Sequence, residues 1–256
     1  MQLKLISSNI RYENENDGVH SWENRSPLLQ KIITEFHPDI LATQEGREKQ
    51  IKSLAYLIPL KLIESHREWI EERMYPCLYV NEEQIKVKRS GDIWLSETPL
   101  TPGSFSFKST FPRLCTWMEV THLVNNLDYF IVNTHLDHVL EETRLEQINV
   151  LIREIDKLNQ QKLPLILMGD FNDSPASAVY QSILNALDLK DPWIESGFVE
   201  ETSHHGFLEN ADQGDRIDWI LIPQAFAVED IYLEKKSFNG VFPSDHYPLL
   251  ATVIPR

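Results

Sequence analysis

Apolar residues recur along the chain with two periods, and the switches between them mark out its elements. Leu3 and Leu5 alternate with Lys4, a period of two that predicts a strand ending at Asn9. Ser26-Pro27 opens a helix through Phe36, with Leu28, Leu29, Ile32, Ile33 and Phe36 on one side. His37-Pro38 stops it, and DILATQE forms the next strand. Further strands are expected at 60–65, 75–80, 84–89 and 92–95. Segments 116–124 and 128–134 read as a hairpin turning at Asn125-Asn126.

From Glu141 to Asn159, Leu145, Ile148, Leu151, Ile152, Ile155 and Leu158 follow helical spacing, with Glu141, Glu142 and Glu146 on the solvated face. Leu165 to Met168 is a near-continuous apolar strand. Gly169 then permits a turn or a close approach, and Ser174-Pro175 starts a helix over 175–187. Strands follow at 217–222, 230–234 and 247–253. Hairpins mixed with strand–helix steps describe an α/β sandwich rather than a parallel, doubly wound sheet. With no repeat, low-complexity tract or linker, residues 1–256 are expected to form one domain.

Polar residues collect at the ends of these strands. Asn9, Glu45, His135, Asp170, Asn172, Asp218 and the pair Asp245-His246 each sit at, beside or within one. In layered α/β proteins such ends converge, so these positions predict one pocket. Asp218, between Ile217 and Trp219, is a carboxylate in an apolar strand and needs a buried partner; His246 is the expected one. Carboxylates and carboxamides are hard donors suited to Mg²⁺ or Mn²⁺, and an imidazole oriented by a carboxylate can donate to phosphoryl oxygens. This chemistry fits hydrolysis at phosphorus; no GxSxG elbow supports a serine mechanism.

Composition narrows the substrate. A net charge of −15 over 256 residues argues against tight gripping of duplex nucleic acid. Weak binding of single strands by base stacking remains open. Cys77 and Cys115 are too few for a disulfide framework, and no apolar run reaches the length of a membrane span. A cytoplasmic protein is expected. His135 with His138, and the pair His204-His205, raise a zinc reading, but oxygen donors dominate the set. His204-His205 read as a surface loop, or in a sharper reading as a lid.

Taken together, SSNI, TQE, NTHLDH, GDFND, DRIDWIL and PSDHYPL resemble, in order, the motifs of the endonuclease/exonuclease/phosphatase superfamily, the deoxyribonuclease I-like fold. The resemblance implies a four-layer α/β sandwich, two packed mixed β-sheets flanked by helices, with a divalent cation and phosphoester cleavage. It assigns Glu45 as the principal metal ligand, with Asn9 beside it and Asp245 as a second contact. Asp170 would activate water, Asn172 would orient water or phosphate, and His246 would contact phosphate with Asp218 as its partner. His135 resembles the histidine of deoxyribonuclease I-type and sphingomyelinase-type members. GDFNDSPASAVY looks closest to deadenylase-like members, and WLSETPLTPGS, with Trp94, resembles a little-characterised microbial branch. Arg11, Arg25 and Trp94 are candidate substrate contacts. The expected enzyme is a monomeric Mg²⁺- or Mn²⁺-dependent phosphodiesterase. A nuclease on short or single-stranded RNA or DNA, a phospholipid or phosphoinositide phosphoesterase, and a non-catalytic binding module are the alternatives.

Overall fold

The computed structural model describes residues 2–209, 211 and 213–255. In chain order the elements begin with β1 (Leu3–Asn9), a short 3-10 turn (Glu15–His20), α1 (Trp22–Phe36) and β2 (Ile40–Gly46). They continue through α2 (Glu48–Leu57), β3 (Lys61–Leu62), β4 (Tyr75–Val80), β5 (Ile85–Trp94), β6 (Leu114–His122) and β7 (Leu127–His135). The remaining elements are α3 (Glu141–Leu158), β8 (Leu165–Asp170), α4 (Ala178–Ala186), β9 (Leu189–Lys190), α5 (Pro192–Glu195), β10 (Asp218–Pro223), β11 (Ala227–Leu233) and β12 (Leu249–Ile254).

Two six-stranded mixed sheets result, ordered β11-β12-β1-β2-β4-β3 and β5-β6-β7-β8-β10-β9. Each has a parallel pair near its middle, β1 with β2 and β7 with β8, among antiparallel neighbours. Strand alternation sends one set of side chains between the sheets and the other under helices. Leu3, Leu5, Ile40, Ile131, Ile166, Met168 and Ile220 belong to the inter-sheet core. Phe130, Val132, Leu167, Trp219 and Leu221 pack with α3 and α4. Ile6, Leu41 and Tyr79 pack with α1 and α2. The four-layer sandwich is therefore helix, sheet, sheet, helix. Among the described residues no helix is long and apolar enough to cross a membrane.

Several boundaries differ from the sequence expectation. Helix α1 begins at Trp22, because Asn24 and Arg25 already donate their N–H groups to Ser21 O at 3.0 Å; Pro27 sits inside the helix instead of starting it. Ser174-Pro175 forms a turn, and α4 starts three residues later, where Ser177 Oγ accepts from Tyr180 N at 3.1 Å. The two strands expected over 84–95 are one, β5, bent by a bulge between Val87 and Arg89. Helix α2 went unpredicted, since only Gln50, Ile51 and Leu54 of its residues are buried.

Gly169 is where the chain requires glycine. A Cβ there would lie 2.2 Å from Thr134 O on the paired strand, and φ is +150°. Gly169→Ala should push β7 and β8 apart, destabilising by about 2–3 kcal/mol. A thermal melt should show Tm falling by roughly 5–10 °C; an unchanged Tm would show that the strands yield freely.

Candidate active site

The site grows out of the inter-sheet core by continuing its alternation. On β8, Ile166 and Met168 face the opposite sheet, and the next residue of that parity is Asp170. On β10 the same face carries Asp218, Ile220 and Ile222; on β7 it carries Ile131, Asn133 and His135. Register aligns them: Asp170 pairs with His135 on one side and with Asp218 on the other. Three chemical groups thus stand in a row across adjacent strands, on the face the apolar core occupies farther down. Asn9, buried at the end of β1, is supplied by the other sheet and donates from Nδ2 to Asp170 Oδ2 at 2.9 Å. Nearby, Gln44 Nε2 donates to Asn133 Oδ1 at 2.8 Å, tying the two sheets beneath the site.

Glu45 arrives differently. The register of β2 against β4 shifts between Thr43 and Gly46, and Glu45 has φ 68°. Bulges re-aim side chains, and this one brings the carboxylate to the cleft wall. Arg11 and Asn172, at φ 51° each, are likewise left-handed. Such a conformation is held only where the surroundings over-determine it. For Asn172 they include its N–H on Asp170 Oδ1 (2.9 Å) and its Nδ2 on Leu136 O (3.0 Å).

A cleft of about 570 Å³ collects Arg11, Glu45, His135, Asp170, Asn172, Asp245 and His246. His246 Nδ1 lies 2.8 Å from Asp218 Oδ2, the pairing expected for the buried carboxylate. Burial opposes charging of this imidazole, but Asp218 outweighs it and the pKa rises to about 10, so His246 is an imidazolium at neutral pH. Burial, reinforced by the charge of Asp218, holds Asp170 above the usual carboxylate range. His135 is pushed well below the ordinary imidazole value, first by burial and then by Arg113. Its Nε2 lies 3.5 Å from Asp170 Oδ2, and His246 Nε2 lies 3.9 Å from the same oxygen.

Two proposed substrate contacts are corrected. Arg25 is fully buried and donates to four backbone carbonyls: His20 O (2.6 Å), Ile10 O (2.7 Å), Pro243 O (3.0 Å) and Arg11 O (3.1 Å). It clamps the loops carrying Arg11 and Asp245, and its guanidinium is spent there. Trp94 is 4% exposed and packs edge-on to Tyr75 in the core beneath α1 and α2, outside the cleft. Nor are His204 and His205 on a loose loop. His205 and Gly206 donate their N–H groups to Asp245 O at 2.8 and 3.1 Å, and Tyr247 N donates to Ser203 O at 2.8 Å. This strap braces the segment bearing His246; His205 is buried against Tyr247, while His204 reaches the cleft.

Sequence reasoning missed Arg47, Arg73 and Arg113, all of which line the cleft. Arg47 directly follows β2 and Arg113 directly precedes β6, so their place at strand ends was the available signal. Their presence gathers four arginines, with Arg11, around an acidic centre on a strongly acidic protein.

A sequence model of the Endonuclease/Exonuclease/phosphatase family matches residues 6–246, and the chain belongs to that family. Its members hydrolyse phosphoester bonds. A solved family protein from Bacteroides vulgatus is 26% identical and superposes with a TM-score of 0.91 over 100% of both chains. A mannosyl-6-phosphatase of Bacteroides thetaiotaomicron is 24% identical, with a TM-score of 0.90 over 98% of this chain and 99% of its own. An uncharacterised protein of Acanthamoeba polyphaga mimivirus is 27% identical over 187 residues, 66% of this chain and 67% of that one.

Proposed function

We propose that the chain is a Mg²⁺- or Mn²⁺-dependent phosphodiesterase that attacks phosphorus in line with water. The observation that carries this reading is Asp170, buried between Asn9, His135 and His246 in the cleft that Glu45 also lines. Asp170 accepts the water's proton; its raised proton affinity suits it to that task. Asn172, backbone-locked beside it, orients the water. The His246 imidazolium, held by Asp218, donates from Nε2 to a phosphoryl oxygen.

The donor set fits a hard cation. One oxygen of Glu45 accepts a 3.2 Å bond from Tyr12 N, while its other oxygen has no hydrogen-bond donor among the described residues. Asn9 Oδ1 and Asp245 add oxygen donors, while Nδ1 of His135 and of His246 is engaged by Arg113 and Asp218. Asp170, Asp218 and His246 have atoms within 4.8 Å of one another, but the 2.8 Å His246–Asp218 bond already uses that pair. Glu45, with Asn9 and Asp245, would hold the ion, which polarises the phosphoryl group when bound.

Purified protein should hydrolyse bis-p-nitrophenyl phosphate with Mg²⁺ or Mn²⁺ and stop with chelator. Glu45→Gln should raise the half-saturating metal concentration by about tenfold or more, since one hard ligand loses its charge. Turnover indifferent to chelation, or none with any phosphodiester, would defeat the reading. Phosphomonoesters are the second substrate class, favoured by Arg11, Arg47 and Arg73 of the cleft wall, since cations suit a dianion. The Bacteroides thetaiotaomicron relative is by name a phosphatase of a mannosyl phosphate. Assaying sugar phosphates and short oligonucleotides beside the diester separates these.

A further inference from the structure

The two imidazoles flanking Asp170 are wired to opposite kinds of partner. His246 Nδ1 meets a carboxylate, Asp218 Oδ2, at 2.8 Å. His135 Nδ1 instead meets a guanidinium nitrogen, Arg113 Nη1, at 3.0 Å. Arginine only donates, so His135 Nδ1 is the acceptor, and the single proton of a neutral ring must sit on Nε2. We propose that Arg113 is the positioning residue for His135, fixing the Nε2–H tautomer and aiming that donor at the oxygen where Asp170 and the substrate meet. The inference rests on the phosphoesterase reading only for its effect on turnover; the tautomer is a property of the folded chain.

The surroundings make Arg113 hard to explain otherwise. It directly precedes β6, whose Cys115 pairs with Thr134, which places the guanidinium beside His135. It is 6% exposed, and none of the described carboxylates lies within ion-pair distance of it. Its second terminal nitrogen, Nη2, lies 3.3 Å from His138 Nδ1, and Nε is buried with no partner. A buried guanidinium placed for structure alone forks a carboxylate or a cluster of carbonyls, as Arg67 and Arg25 do in this protein. Arg113 spends its donors on the nitrogens of two cleft histidines. Charge balance follows as well: burial and the neighbouring cation both keep His135 neutral.

The test uses histidine-labelled protein and nitrogen-detected NMR alongside kinetics. In the wild type, His135 should show one tautomer, protonated on Nε2; a ring protonated on Nδ1 would overturn the proposal. Arg113→Met should leave His135 as a tautomer mixture and lower kcat by roughly 10- to 100-fold, the usual effect of removing a ring-orienting partner. KM should move by less than about threefold, because the ring rather than the binding surface is disturbed. Arg113→Lys, which keeps one donor, should retain the tautomer and most of kcat. Combined with His135→Gln, Arg113→Met should add no further loss; multiplying penalties would show an independent role and refute the positioning account. Should Arg113→Met fail to fold, the wild-type tautomer and the lysine variant still decide the matter. Wild-type protein with the Nε2–H tautomer but no phosphoester turnover would support the wiring and defeat the proposed function.

Discussion

Asp170→Asn is expected to reduce kcat by about 10³-fold or more while changing Tm little. Asparagine has the shape of aspartate but cannot take a proton from water. Its carbonyl can still accept from Asn172 N, the bond that now reaches Asp170 Oδ1 at 2.9 Å. The stability half follows from the sign of the shift. Burial and Asp218 disfavour the charged form of Asp170, so at neutral pH its carboxylate opposes folding. A neutral amide removes that opposition but places its own NH2 against Asn9 Nδ2, whose 2.9 Å bond to Oδ2 is lost, so the two effects offset. Hydrolysis assays and a melting curve on the same preparation check both halves. Retained turnover would remove Asp170 from its role, and a Tm lowered by several degrees would show that the bond from Asn9 outweighs the cost of burying the charge.

The second large effect lies away from the chemistry. Arg67, its side chain fully buried, grips Asp92 with two bonds, Nε to Oδ2 at 2.8 Å and Nη2 to Oδ1 at 2.7 Å. His66 Nε2 approaches Asp92 Oδ1 at 3.2 Å, and Thr116 Oγ1 lies 2.7 Å from the same oxygen. This network anchors the segment leading to Glu72, Arg73 and Met74 of the cleft wall. Asp92→Asn strands a buried cation, which costs about 3–5 kcal/mol. In urea at pH 7 the midpoint should fall with the slope unchanged.

The pH dependence has a definite sign. Burial alone would raise the Asp92 pKa, but Arg67 and His66 overcome it and hold the group well below the carboxylate range. A lowered native pKa stabilises the fold above the unfolded value of about 3.9 and loses that contribution as pH drops below it. The gap between wild type and Asp92→Asn should therefore be full at pH 7 and shrink below about pH 4. An identical gap at pH 7 and pH 2.5 would mean that charge is not what holds the network.

Which residues gather at the candidate site was legible in proportion to how local the signal was. Asp170, His135 and Asp218 each lie at the end of an apolar strand, and strand alternation alone puts them on the core-facing side. The Asp218–His246 pair could be anticipated because a carboxylate inside an apolar strand must be answered. Arg113 stands beside the start of β6, but its position carried no indication of its partner. Its meaning depends on β6 pairing with β7, a contact between segments that nothing in the sequence announces as chemically linked. Arg25 and Trp94 misled because arginine and tryptophan serve surfaces and interiors equally well. Only packing shows that one caps carbonyls and the other fills the core.

By itself, then, the order of apolar and polar residues determined the strands and long helices, the layered class and the row of polar strand ends. These follow from burial and backbone periodicity, which act over a few residues. Tertiary structure alone decided the bulge that turns Glu45 into the cleft, the arginines that collect there, and the guanidinium partner of His135. Each of these depends on register and on distances between strands far apart in sequence, where free energy is set by which groups meet rather than by what any one residue prefers.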